Sequence, residues 1–382
     1  MSRRKVIILG ATGSVGTTAL NAIKRFNETF EVVALSANSS TQKLASIAKE
    51  FNCDKICLSD EKVQTPPDFK GHLFKGEQGL LEMIQQTDAD IVLNAIGTSS
   101  GIKSSFATVE SGKDLALANK ESMVMAGSLL LETAKKNSVK IVPVDSEHIT
   151  LWNLLNAFGT KRVTKLILTA SGGPFRNLEL TKFKDVTLEM AVRHPVWSMG
   201  PKISIDSATL ANKGLEVLEA IGFFGYKSTQ IDVVIHPQSV VHSLVRVEDG
   251  SLFAHLSPPD MTLPVVTALQ GEFLQLENVS KELDFTNLNL SFDAVDYERF
   301  PLLRYAFECA KLQAGYPIAF NAANEIAVEA FVNKRITFDK ISSLVALTLE
   351  ENYDWDITTL SDVLEVDSLV RSKALTLLKG RF

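Results

Sequence analysis

The chain has 382 residues, 45% of them hydrophobic and 22% charged, which is the make-up of an ordinary globular protein and not of a disordered or fibrous one. One hydrophobic core rarely organises so long a chain, so two or three domains are expected. A formal net charge of −6 argues against a general binder of phosphate backbones and leaves nucleic acid out of the expected partners.

The basic start runs into an apolar stretch that stops after four residues at Gly10, too short for the core of a signal peptide. No stretch approaches the roughly 18 apolar residues of a membrane span, so a cytoplasmic location without membrane partners is expected. Residues 5–9 are a short β-branched run and a predicted strand. A glycine turn follows, and then residues 17–26, where Ala19, Leu20, Ile23 and Phe26 recur at helical spacing. Strand 30–35, helix 41–51, strand 55–58, helix 79–86, strand 91–95, helix 105–110, strand 114–118, helix 128–136 and strand 140–144 continue the alternation. Such β-then-α order predicts a parallel, doubly wound α/β sheet over residues 1–144. Cys53, Cys57 and Cys309 are odd in number and match neither a disulfide framework nor a zinc site, so they read as reduced, packed thiols. The four-residue spacing of Cys53 and Cys57 would let them share a helix face.

Beyond Val144 the alternation breaks down. A helix over 149–158 leads to a strand over 163–170 and then to a segment rich in Gly, Pro and Trp. Residues 231–235, 239–247 and 251–256 alternate apolar and polar side chains, as antiparallel strands would. Residues 145–272 thus read as a central α+β catalytic domain and 273–300 as a polar connection. Helical periodicity over 302–314, 318–333, 338–349 and 359–378 makes 301–382 a C-terminal helical bundle.

The turn Gly10-Ala11-Thr12-Gly13-Ser14-Val15-Gly16 lies between a predicted strand and helix, the context of a dinucleotide fingerprint in a Rossmann-type domain. Its glycines permit a tight turn and close backbone approach, and the pyrophosphate meets the amide end of the helix. NAD-selective sites usually close the second strand with an acid for the ribose 2′-hydroxyl. Here the strand closes on Ala37, Asn38, Ser39 and Ser40, which favours NADP, although the expected arginine is also missing and Lys43, one turn on, is the nearest cation.

Asp145-Ser146-Glu147-His148 stands at the carboxyl end of the run 140–144, where open α/β sheets bind ligands. If strand geometry continues that far, Asp145 and Glu147 share a face and suit a hard divalent cation; alternatively they cap the helix that follows. Ser171-Gly172-Gly173 could cradle an anion or be a bare turn. The segment 193–200, with His194, Trp197 and Met199, has the bulky apolar character of loops that close over ligands. A helix across 206–216 puts Asn212 and Glu216 on one face, either as a third carboxylate beside Lys213 or as a solvated Lys and Glu pair.

Taken in order, Gly10–Gly16, Leu117-Ala118-Asn119-Lys120-Glu121-Ser122, Val144–His148, Ser171–Phe175, His194-Pro195 with Trp197-Ser198-Met199-Gly200, and Asn212-Lys213-Gly214-Leu215-Glu216 resemble the 1-deoxy-D-xylulose 5-phosphate reductoisomerase family over essentially the whole chain. The resemblance implies rearrangement of a phosphorylated ketose and reduction of the resulting aldehyde by NADPH, giving 2-C-methyl-D-erythritol 4-phosphate in the non-mevalonate isoprenoid pathway. It implies that Asp145, Glu147 and Glu216 hold Mg²⁺, Mn²⁺ or Co²⁺, and that Ser146, Ser171, His194, Trp197, Ser207, Asn212 and Lys213 bind the substrate. On the same ground Lys213 joins the three acids as a catalytic residue, and His148 and His194 are candidate catalytic residues as proton carriers or as orienters, two roles the sequence does not separate. Thr12, Gly13, Ser14, Val15, Ala37, Asn38, Asn119, Lys120, Glu121, Met199 and Gly200 would contact the cofactor, and the family is homodimeric. A chelated dication would act as a Lewis acid toward the carbonyl, and a closing loop with Trp197 and Met199 would exclude water during hydride transfer. Two departures stand out: the second-strand tip lacks the lysine often present in the family, and residues 94–101 are more polar than usual. A metal-independent dehydrogenase of a phosphorylated hydroxy acid and a dinucleotide-sensing regulator are the competing expectations; neither accounts for three acids beside a phosphate-type cluster.

Overall fold

The computed structural model describes residues 3–197, 199–271 and 276–382, so Ser198 and the expected boundary at residues 272–273 lie outside the described residues. In chain order the first elements are β1 (Arg4–Leu9), α1 (Ser14–Arg25), β2 (Phe30–Ala37), α2 (Thr41–Glu50), β3 (Lys55–Leu58), β4 (His72–Lys75), α3 (Gly76–Gln86) and β5 (Ile91–Asn94). They continue with α4 (Ile102–Glu110), β6 (Asp114–Leu117), α5 (Lys120–Lys136), β7 (Ile141–Pro143), α6 (Ser146–Phe158), β8 (Val163–Ala170), α7 (Leu188–Ala191), α8 (Pro201–Ala208) and α9 (Ala211–Phe224). The last are β9 (Ile231–Ile235), β10 (Val241–Val247), β11 (Leu252–Leu256), α10 (Thr262–Gln270), α11 (Pro301–Leu312), α12 (Tyr316–Val332), α13 (Phe338–Leu349) and α14 (Leu360–Arg381). Two compact units result. The first comprises residues up to Ser122, Leu130–Ile149 and Asp260–Lys281; the second comprises Met123–Leu129, Thr150–Pro259 and Glu282–Phe382.

In the first unit seven strands form one sheet in the order β4-β3-β2-β1-β5-β6-β7, parallel throughout. Val6, Ile7, Ile8 and Leu9 are all completely buried, which is why β1 reads as an unbroken apolar run: helices cover both faces of a parallel sheet. Strand order reverses between β1 and β5, and the carboxyl ends of these two strands are where a doubly wound sheet opens its ligand crevice. Three elements that lie wholly or partly in this unit escape periodicity. Strand β4 is only four residues long. The first turns of α5, Lys120–Gly127, are buried at every position and therefore lack an amphipathic stripe. Helix α10 carries Pro264 in its first turn, where proline costs no intrahelical bond although it reads as a breaker. Helix α10 packs on α1 and β6, and the Arg4 guanidinium donates to the Leu269 carbonyl at 2.6 Å.

The second unit holds a four-stranded sheet in the order β11-β10-β8-β9. Strand β10 is antiparallel to β8 and β11, but β9 is parallel to β8, contrary to the antiparallel reading of all three later strands. The long crossover through α7, α8 and α9 returns the chain to its starting end, and alternation reports a half-buried strand without reporting its direction. The helix expected across 206–216 is likewise two helices. Leu210 takes a left-handed conformation (φ 57°) between α8 and α9, while Asn212 and Glu216 remain on one face of α9. A Cβ at Gly214 would lie 2.8 Å from the Ala306 Cβ, so this glycine sets how closely α9 approaches α11. Helix α12 packs on α13 and α14 and is buried along most of its length.

Cys57 lies on β3 and Cys53 in the turn before it, so they share no helix face. All three cysteines are free and buried, and burial pushes their thiols up to about 11, 12 and 12 for Cys53, Cys57 and Cys309. No helix among the described residues is long and apolar enough to cross a membrane.

Candidate active site

The glycine turn is held by its own backbone. Gly10 has φ +78°, and a Cβ there would meet the Ala95 carbonyl oxygen at 2.6 Å, which joins the ends of β1 and β5 without room for a side chain. A Cβ on Gly16 would lie 2.3 Å from the Gly10 oxygen, so α1 can start directly against the turn. Gly13 caps α1 without a side-chain bond, no acid lies in the first turn, and Gly13 and Ser14 are exposed. The first amides of α1 thus stand exposed at the turn and suit an anion.

Beside it, Asn119 caps α5 by accepting the Ser122 amide at 3.0 Å. Its own amide donates to the carbonyls of Ile96 (2.8 Å) and Thr98 (2.7 Å). Asn94 likewise binds the Gly101 carbonyl (2.9 Å) and the Ser105 hydroxyl (2.8 Å). The polar stretch 94–101 is therefore a loop fixed by two asparagines, and they hold Thr98 at a positive φ of 67°.

Strand β7 ends at Pro143 and α6 starts at Ser146, so strand geometry does not reach Asp145 and Glu147. The two carboxylates still approach one another, each offering an oxygen within 4.8 Å of the other, with Asp145 before the helix and Glu147 in its first turn. A ring nitrogen of His148 and an oxygen of Asp145 also lie within 4.8 Å. Lys120 donates its ammonium to Asp145 at 2.5 Å with both side chains largely buried, and the Ser146 hydroxyl donates to Glu147 at 2.6 Å. Paired hard carboxylate oxygens are a donor set that fits Mg²⁺, Mn²⁺ or Co²⁺.

In the second unit, Ser171 leaves β8 and is followed by Gly172 and Gly173, both at positive φ (80° and 65°). A Cβ on Gly173 would lie 2.8 Å from the Ser207 carbonyl oxygen, so the loop rests on the end of α8. Ser171 Oγ accepts the Gly173 amide at 3.2 Å and lies 2.9 Å from His194 Nε2. His194 Nδ1 accepts the amides of Val196 (3.2 Å) and Trp197 (2.9 Å), which places the ring proton on Nε2, pointed at Ser171. Burial lowers the His194 pKa to about 4. The ring is therefore neutral near pH 7, and the Ser171 hydroxyl, accepting from both the ring and the Gly173 amide, keeps its own proton for a further acceptor. The Trp197 ring stands 6.3 Å from His242, edge to face.

On α9 the buried Lys213 and the amide of Asn212 both donate to the buried carboxylate of Glu216. The structure thus brings Ser171, Gly173, His194 and Ser207 to one loop-and-helix corner and joins Asn212, Lys213 and Glu216 on one helix face. Two supporting residues were not visible in the sequence. Asp206, almost fully buried next to Ser207, accepts the Asn324 amide at 2.9 Å and pairs with Lys202 at 2.8 Å. Asn324 lies 118 positions away on α12, beyond any local pattern.

Family models described as 1-deoxy-D-xylulose 5-phosphate reductoisomerase, its C-terminal domain and the DXP reductoisomerase C-terminal domain match residues 6–127, 141–224 and 256–373. The chain is 40% identical to the 1-deoxy-D-xylulose 5-phosphate reductoisomerase of Treponema denticola over 382 residues, covering 100% of this chain and 99% of that protein. It is 40% identical to that of Chlorobaculum tepidum, covering 98% and 100%. Among solved structures, the reductoisomerase of Zymomonas mobilis in complex with NADPH superposes with a TM-score of 0.88 at 37% identity, covering 99% of this chain and 100% of that one. A DOX-P reductoisomerase in complex with NADPH, fosmidomycin and magnesium gives 0.88 at 38% identity, covering 98% of each.

Proposed function

The chain belongs to the 1-deoxy-D-xylulose 5-phosphate reductoisomerase family, and from that premise we propose how its own residues carry out the reaction. The enzyme converts 1-deoxy-D-xylulose 5-phosphate to 2-C-methyl-D-erythritol 4-phosphate, using NADPH and a divalent metal, as a step in making isoprenoid precursors. Asp145, Glu147 and Glu216 hold the metal. The observation that carries this reading is the Asp145 and Glu147 carboxylate pair at the carboxyl end of β7, in the unit that also carries the glycine turn.

When bound, the metal supplies Lewis acidity to the substrate carbonyl and NADPH supplies the hydride. The remaining work falls to side chains. Ser171, Ser207, Asn212 and Lys213 bind the substrate phosphate; the neutral His194 ring, donating to Ser171 Oγ, leaves the serine proton for the phosphate. Ser146 and Lys213 contact the oxygenated chain of the substrate, and Lys213, already bonded to Glu216, couples the phosphate end to the acid. Trp197 covers the substrate, and Met199 and Gly200 line the nicotinamide side, where bulky apolar groups exclude water. Thr12, Gly13, Ser14 and Val15 seat the pyrophosphate, Ala37 and Asn38 the adenosine, and Asn119, Lys120 and Glu121 the nicotinamide half. His148, close to Asp145, moves or holds a proton beside the metal ligands.

We propose further that the enzyme works as a cytoplasmic homodimer. Its buried free thiols suit a reducing compartment. Strand β11, at the edge of the second sheet, exposes Leu252 (48%) and Phe253 (39%), an uncovered apolar edge of the kind that pairs with a second copy. Sedimentation at twice the chain mass is the expected result. In function, the first unit, residues 260–281 included, serves NADPH and contributes Asp145 and Glu147, residues 150–259 bind the substrate, and 301–382 brace the catalytic part.

The test is purified protein with the ketose phosphate, NADPH and Mn²⁺, followed by loss of nicotinamide absorbance. A chelator should abolish turnover, and added Mn²⁺ should restore it. Equal NADPH consumption in chelator would overturn the metal assignment in favour of a simple dehydrogenase.

A further inference from the structure

We propose that Lys43 reads the 2′-phosphate of NADP(H) in this chain and sets its preference over NAD(H); this rests on the glycine turn at residues 10–16 being the cofactor seat. Dinucleotide folds place the adenosine ribose by the end of the second strand, where a 2′-phosphate needs a cation. The tip of β2 supplies none: Asn38, Ser39 and Ser40 are exposed and uncharged. Lys43, in the first turn of α2, fills the deficit from the side. Its ammonium donates to the Thr12 carbonyl at 2.8 Å, fixing a positive charge across the mouth between the glycine turn and the start of α2. The turn is itself tied to β2, since Gly10 and Ala11 donate to Ser36 at 3.2 and 2.8 Å.

Three further features favour a phosphate at this position. An ammonium has three donors, and the Thr12 carbonyl takes one. Lys24 is paired with Glu50 and Lys120 with Asp145, but no carboxylate among the described residues pairs with Lys43. Asp60, at the end of the neighbouring strand, turns its carboxylate to the Lys62 amide at 2.9 Å, within its own loop. In addition, Ser40 makes no side-chain cap bond to α2 and no acid lies in that helix's first turn, so hydroxyl and amides stand beside the lysine for an anion.

Calorimetry with 2′,5′-ADP and 5′-AMP isolates the 2′-phosphate from the rest of the cofactor. The wild-type protein should bind 2′,5′-ADP more tightly. Lys43→Gln should weaken 2′,5′-ADP and NADP⁺ by about tenfold to a hundredfold, the worth of one charge-assisted hydrogen bond, and leave 5′-AMP and NAD⁺ unchanged. Lys43→Arg should retain most of the preference. Because the side chain is exposed, the ligand-free melting temperature should not move, which separates loss of charge from loss of fold. Equal weakening of both nucleotides, or of neither, overturns the proposal. A wild-type protein that binds the two nucleotides equally overturns both the proposal and the NADP reading beneath it.

Discussion

His194 shows how a side chain's role is decided by what its two nitrogens touch. With Nδ1 accepting two backbone amides and burial disfavouring the charged form, the ring should titrate near 4 and not near 6.5, as followed by the ring carbon resonance in NMR. Between those values the unfolded chain binds a proton that the folded chain refuses, so stability is lost as pH falls from 6.5 toward 4. His194→Gln should flatten that part of the stability profile and raise KM for the ketose phosphate. At Glu216 the expectation is different. Glu216→Gln should raise the Mn²⁺ concentration needed for half-maximal activity by at least about tenfold, the range in which even supporting groups of metal sites act. The family resemblance singles out these residues, because Ser171–Phe175, His194-Pro195 with Trp197–Gly200 and Asn212–Glu216 occur together and in order, whereas each string alone leaves a turn or a solvated face equally open. It does not reveal the tautomer of His194 or the Asp206–Asn324 bond, since both depend on partners that local order does not encode.

Elements that alternate or repeat at 3.6 residues are legible: β1, β3, β8, α2, α13 and most of α14 lie where periodicity puts them. Those that fail do so for physical reasons. Helix α5 begins in wholly buried chain, α10 hides behind a first-turn proline, and the α8–α9 break turns on a left-handed Leu210 that no composition rule marks. Packing between elements supplies two predictions. Gly173→Ala would force a Cβ to within 2.8 Å of the Ser207 carbonyl at φ +65°, and should cost about 1–3 kcal/mol in thermal unfolding while raising KM for the substrate. Asn324→Ala removes a partner of the buried Asp206 carboxylate and should cost about 1–3 kcal/mol, measured by denaturant unfolding.

At the scale of the whole molecule, the alternation up to residue 144 makes the parallel sheet readable in advance, and four periodic stretches announce the closing helices. The membership of residues 260–281 is not readable. Residues 262–270 form α10, the carbonyls of Asn278 and Val279 accept from Arg25, and the stretch completes the first unit from far along the chain. The first unit is therefore not a contiguous stretch of sequence. On the ribosome, a nascent chain that has already delivered all seven strands still lacks the helix that covers α1 and β6, and Arg4 must wait for the carbonyl of Leu269. A fragment ending at Pro259 should therefore expose that apolar patch and bind a hydrophobic dye, and a ribosome stalled before residue 270 has left the exit tunnel should carry a nucleotide-binding unit still open to chaperones. Synthesis finishes the cofactor's half of this enzyme only after most of the substrate's half has been made.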